Sequence, residues 1–187
     1  NIDYIISQFS AFAATIKPDE NEIRNYFEQN KAMFKEPPSL GQPARIPELT
    51  EIQDKVKAAL IEATAKAAAR EKINACAEKL KHTDFNQAAA ACGLINGTTE
   101  FFKSNGTIEN LGPAEIFWNQ AKELKEQQTS AVFFNDLGYY IIRLKSIKPI
   151  DENQFLQEKD DFYLRLLNSK KGELFAKFIQ QLKQKAQ

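Results

Sequence analysis

One histidine, two cysteines, one methionine and one tryptophan are all that the 187 residues carry of those types, and each scarcity removes a class of function. With His82 as the sole histidine, no site can be assembled from several imidazoles. Multi-histidine metal chemistry is excluded, and His82 is left as the one imidazole base available to a hydroxyl or thiol. Its position, after a long helical pattern and before Thr83-Asp84, is one where a cation complements a helix C-terminus. Cys76 and Cys92 lack Cys-x-x-Cys spacing, so neither a zinc site nor a thioredoxin-like pair is indicated. Two buried thiols are the ordinary reading; in an oxidising compartment a helix hairpin turning near His82 would bring them within reach of a disulfide.

Charge of one sign is also missing. Lys+Arg and Asp+Glu both total 25, which leaves no positive excess to track a phosphate backbone, and nucleic acid is excluded as a partner. Uncharged runs such as Tyr4 to Ile16 are too short to span a bilayer. The chain starts at Asn1 without a methionine or a signal-like apolar run, and is read as a mature or excised piece whose targeting segment or anchor lies outside it. No cofactor is expected. Paired carboxylates such as Asp160-Asp161 fall on solvated helix faces and indicate no acid catalysis.

What is present is helix, with a small β unit between. From Pro47 to Lys81, apolar residues from Leu49, Ile52 and Val56 to Ile73 and Leu80 recur at helical spacing in a stretch free of Gly and Pro. This predicts one long helix, part of it projecting from the core. A second long pattern, Asp151 to Lys185, places Phe155, Phe162, Leu166, Phe178 and Leu182 on one stripe. A third helix follows Pro18, which suits the first helical position, with Ile23, Tyr26, Phe27, Met33 and Phe34 as its apolar face. Between the long helices come a short helix (Phe85 to Ala91), a strand (Thr98 to Lys103), a turn at Asn105-Gly106 and a helix (Pro113 to Lys125). Asn96-Gly97-Thr98 and Asn105-Gly106-Thr107 match the glycosylation pattern but read as turn dipeptides.

The hairpin is written in "VFFNDLGYYIIRLKSIKP". Asn135-Asp136-Leu137-Gly138 is a turn signal between two runs rich in aromatic and β-branched residues. The predicted fold is α+β, with a small antiparallel sheet of Thr98–Lys103, Ala131–Phe134 and Tyr139–Ile147.

This hairpin and the helix before it, "GPAEIFWNQAKELKEQQTSAVFFNDLGYYIIRLKSIKP", resemble the C-terminal half of parvulin-type peptidyl-prolyl isomerase domains. "AREKINACAEKLKHTDFNQAAAACGL" is similar to the parvulin helix pair, and "TTEFFKSNGTIENLG" to the strand and loop that follow. The flanking helices look like the chaperone parts of SurA- and PpiD-type periplasmic folding factors. The resemblance implies a segment 1–47 that is part of a helical chaperone lobe, a long helix running into a degenerate parvulin-like domain over 48–149, and a C-terminal helix over 150–187 packing with the helical lobe.

Carried over residue by residue, the family pattern puts Tyr140 where a histidine stands, Pro113 where a methionine stands, and keeps a phenylalanine at Phe117. Phe102 joins Phe117 as a candidate floor of an apolar pocket. The family's first strand, with its second histidine, has no counterpart, because the long helix runs directly into the first parvulin helix. The sheet edge so exposed needs another partner, for which Ile2 to Gln8 is the candidate. The resemblance therefore implies a folding factor of the Gram-negative periplasm, secreted or tethered to the inner membrane. It binds unfolded or nascent secreted and outer-membrane polypeptides, with the Leu49, Ile52 and Val56 stripe as client surface, and lacks isomerase activity. An active isomerase with a remodelled site is the alternative, and a homodimer through the helices a further one.

Overall fold

The computed structural model describes residues 1–38, 43–149 and 151–185. The chain forms two compact units, Asn1–Ile147 and Lys148–Gln187.

The first unit is built on a four-stranded antiparallel sheet in the order β2-β1-β6-β5. Its strands are β1 (Ile2–Gln8), β2 (Ile95–Thr98), β5 (Phe133–Phe134) and β6 (Gly138–Leu144). The candidate Ile2–Gln8 is thus a strand, and a central one. Its register with β6 sets Ile5 opposite Ile141 and Ile6 opposite Tyr140. Period-two alternation sends even-numbered residues of both strands to one face and odd-numbered ones to the other.

One face is covered by α5 (Ala114–Ala121), reached through the short pair β3 (Thr107–Ile108) and β4 (Gly112–Pro113). There Ile2, Ile6, Tyr140, Ile142 and Leu144 pack with Ile108, Leu111, Ala114 and Phe117. The other face meets α3 (Leu49–Lys79) and α4 (Phe85–Cys92), where Ile5 and Ile141 pack with Ile73, Cys76, Phe85, Ala88, Ala89 and Cys92. Small residues at Ala65 and Ala69, both fully buried, let neighbouring elements approach α3 closely.

Several expectations are corrected. The strand expected over Thr98–Lys103 lies instead over Ile95–Thr98. Asn96-Gly97 is strand and not turn: Gly97 sits under the ring of Tyr4, whose hydroxyl would lie 2.7 Å from any Cβ added there. Of Ala131–Phe134 only Phe133–Phe134 is strand, extended irregularly by a bridge from Thr129 to Arg143. The helix after Pro18 is α2 (Glu20–Gln29), capped by Asp19, whose carboxylate accepts from Asn21 and Glu22 N–H while Glu22 accepts from the Asp19 N–H. This capping box outcompetes Pro18 as the start and leaves Pro18 outside the helix. Met33 is 66% exposed and no part of the apolar face, because Lys31–Phe34 tightens to a 3-10 turn that rotates Phe34 inward instead.

The long helix does not project in the way expected. Its first turns, bent at Ile52 (φ −130°, ψ 20°), pack on α2, and buried residues run from Val56 to Cys76. The stripe assigned to clients is spent on this packing: Leu49 and Ile52 are half-buried against Ile23, Phe27 and Phe34, and Val56 has no exposed surface. The second unit carries one helix, α6 (Glu152–Lys185).

Candidate functional site

The adjacent tyrosines that open β6 point to opposite faces. Tyr139 meets the edge of Phe9, a residue of α1 (Phe9–Ala13), with ring centroids 5.4 Å apart. Tyr140 enters the α5 face and is fully buried. The hairpin register puts Phe133 opposite Tyr140, and the two rings stack at 5.6 Å with a 21° interplanar angle. Phe117, brought in by the second turn of α5, meets both edge-on, at 5.0 Å from Tyr140 and 5.5 Å from Phe133. Offset-stacked and edge-to-face contacts of this kind are the favourable aromatic geometries, so the three rings form a packed triad. Phe102 is half-buried at its margin.

Among the described residues the Tyr140 hydroxyl has no hydrogen-bond partner. The side-chain amide of neighbouring Asn135 donates to the Leu111 carbonyl at 2.9 Å. Burial pushes the phenol up to about 12. At neutral pH the site holds a neutral, enclosed phenol between two phenyl rings.

Beside the triad opens a groove of about 600 Å³ between the N-terminal turn of α5 and the hairpin turn. Its apolar wall is Leu111, Pro113, Ile116 and Leu137, and its rim carries Glu115, Asn119, Asn135 and Asp136. Pro113 stands at the N-cap of α5 and is exposed at this groove, so the structure separates it from Phe117 and Tyr140, which lie in the core. Phe133, Ile116 and Leu137 were not among the residues singled out. The Phe133 position was legible, because counting back across a two-residue Asp136-Leu137 loop sets it opposite Tyr140.

The remaining candidates lie elsewhere. His82 is exposed in the turn between α3 and α4. Cys76 and Cys92 are free and buried in the core cluster on the opposite face of the sheet. Burial, reinforced by Cys92, pushes the Cys76 thiol up to about 12, so it is an inert core group at neutral pH. Among the described residues no group of His, Cys, Asp and Glu is poised to hold a metal ion, and no helix is long and apolar enough to cross a membrane.

The same face as the cysteines carries the buried ion cluster. Arg143 on β6 reaches Asp3 on β1 through Nη2 at 2.8 Å and Nε at 3.1 Å, while the Thr98 hydroxyl donates to Asp3 Oδ1 at 2.6 Å. The guanidinium also lies over the Phe85 ring at 4.8 Å. Burial opposes the charge on Asp3, but hydrogen bonds from Thr98 and Arg143, with the Arg143 charge, prevail and hold the carboxyl below its usual range. These charges clamp β2, β1 and β6 together.

The first unit is thus a small antiparallel sheet with one helix closing over an aromatic cluster and a helix pair on its other face. The family model of the PPIC-type PPIASE domain matches residues 18–160, and the chain belongs to that family. No match is found among curated proteins or among solved structures. The matched span begins after β1. The strand that the resemblance left without counterpart is supplied from ahead of the inserted helices, and it sets Ile6, not a histidine, opposite Tyr140.

Proposed function

We propose that this protein is a folding factor that holds unfolded or partly folded polypeptide and no longer catalyses prolyl isomerisation efficiently. The observation that carries the reading is the Tyr140 ring, fully buried and packed between Phe117 and Phe133. The uncatalysed amide barrier is about 18–20 kcal/mol. Lowering it calls for preorganised polar groups on the twisting amide. Here the space holds three aromatic rings, the Tyr140 phenol is sealed from solvent, and the only imidazole sits in the α3–α4 turn.

The adjoining groove keeps an apolar wall at Pro113, Ile116 and Leu137, suited to reversible burial of client side chains at about 25 cal/mol per Å². The compartment is the periplasm, with the protein secreted or tethered, and the clients are nascent secreted and outer-membrane chains.

A tetrapeptide prolyl-isomerisation assay, run beside suppression of aggregation of a denatured client, tests this. The domain is expected to leave cis/trans exchange at background while slowing aggregation, and Ile116→Asp with Leu137→Asp to weaken the second effect. Tyr140→His alone is expected to stay inactive, since one imidazole in a pocket without its neighbours is not preorganised. Exchange well above background in the unmodified protein, abolished by Phe117→Ala, establishes the other reading, an isomerase with a remodelled site. Recovery of the full-length protein solely from a cytosolic fraction overturns the compartment.

A further inference from the structure

The helix of the second unit carries a pattern that the family membership does not use. Along α6 three exposed apolar residues, Leu156, Leu167 and Phe178, recur every eleven positions, with Tyr163 and Leu174 on the same side and Phe155, Phe162, Leu164, Leu166, Phe175 and Leu182 exposed to either side of them. All are between 36% and 68% exposed. An eleven-residue repeat corresponds to about 3.67 residues per turn, so the stripe stays on one side of a nearly straight helix and suits a second long helix laid alongside. At about 1.5 Å per residue the helix offers roughly 50 Å of such a seam.

Charge divides along the same helix. Its first part, Glu152 to Arg165, holds four acidic residues (Glu152, Glu158, Asp160, Asp161) against two basic ones (Lys159, Arg165), a net charge of −2. From Leu166 to Leu182 three lysines (170, 171 and 177) face one glutamate (Glu173), a net charge of +2. A helix with this gradient is its own complement when reversed. Parallel pairing sets like charge against like over the whole length, whereas antiparallel pairing sets the acidic half against the basic half.

We propose that α6 pairs antiparallel with α6 of a second copy of this chain, about a twofold axis at Leu167. The Leu156, Leu167 and Phe178 series sets the register: with Leu167 opposite itself, Leu156 of each copy faces Phe178 of the other, both eleven residues from the axis, while Tyr163 faces Lys171 and Leu174 faces Asp160. A twofold interface of this kind is self-complementary and closes at two subunits. The client-holding reading neither requires the pairing nor follows from it.

Sedimentation of the 187-residue chain at tens of micromolar and low salt is expected to give a dimer, two copies of the 21.2 kDa chain. Leu167→Asp, which sets two carboxylates face to face on the axis, is expected to abolish the dimer without changing the thermal transition of the first unit. High salt is expected to weaken it. Orientation is read by oxidative cross-linking. Leu167→Cys links to itself, Phe178→Cys alone does not, and Phe178→Cys mixed with Leu156→Cys does. A monomer under these conditions, or a dimer indifferent to Leu167→Asp, overturns the pairing. Self-linking of Phe178→Cys overturns its direction.

Discussion

Two polar groups on opposite faces of the sheet, the Asp3 carboxylate and the Tyr140 hydroxyl, are buried in different ways. On the α3–α4 face Asp3 is buried as an ion and Arg143 is half-buried beside it, each met by the other, with the Thr98 hydroxyl on Asp3 and the Phe85 ring under Arg143. On the α5 face Tyr140 is buried as a neutral phenol whose hydroxyl has no hydrogen-bond partner among the described residues. The first arrangement fixes three strands in register, while the second supplies ring surface to a core and keeps a hydroxyl it does not use.

The largest expected effect comes from breaking the aromatic triad. Phe117→Ala removes the ring that meets both Tyr140 and Phe133 and leaves a cavity in a core already closed, at a cost of about 3–5 kcal/mol in chemical denaturation. A loss under about 1 kcal/mol would show that the face is loosely packed.

Next comes the ion cluster. Asp3→Asn removes the charge while keeping the shape, leaves Arg143 half-served and is expected to cost about 1–3 kcal/mol. The pH dependence has a definite sign. A carboxyl held below its usual range binds fewer protons folded than unfolded, so its contribution is present above the ordinary value of 3.8 and disappears as the pH falls through the depressed one. Asp3→Asn should therefore lose its deficit relative to the parent in acid and show all of it at neutral pH.

A smaller effect sharpens the contrast between the faces. Tyr140→Phe deletes a hydroxyl that has no partner among the described residues, so stability at pH 7 should change by less than about 1 kcal/mol, and in the favourable direction. In alkali the variants separate. The phenol is raised from 10.0 to about 12, so the parent gives up stability as the pH climbs through that interval, and Tyr140→Phe escapes that part of the loss.

The smallest signal belongs to the thiols. With Cys76 raised to about 12 and both cysteines buried, native protein should react with a thiol reagent far more slowly than unfolded protein, which should titrate two. Fast native labelling of both would show that the α3–α4 face opens readily.

Much of the architecture was legible because local physics dictates it. The uninterrupted Ala, Lys and Glu of α3, the Asn135–Gly138 turn and the alternation of "IDYIISQ" each call for one backbone shape, and each formed it. The errors fall where two local signals competed. Pro18 and Asp19 both suit a helix start, and the reciprocal hydrogen bonds of Asp19 and Glu22 decided it. Asn96-Gly97 suits a turn, but β1 offered a strand to pair with and Tyr4 a ring that only glycine admits.

The sequence by itself determined that no site here holds a second imidazole, since His82 is the sole histidine, while the family resemblance implies a histidine where Tyr140 stands and a methionine where Pro113 stands. Only the tertiary structure decided what became of the space. Tyr140 lies inside because β1 pairs with β6 in a register that turns even-numbered residues toward α5, and Pro113 lies outside because it caps that helix. The Leu49, Ile52 and Val56 stripe is as apolar as a client surface must be, yet it is core because α2 folds across it. Periodicity specifies that a face will be buried. What buries it is settled by elements far apart in the chain, whose meeting no local pattern encodes.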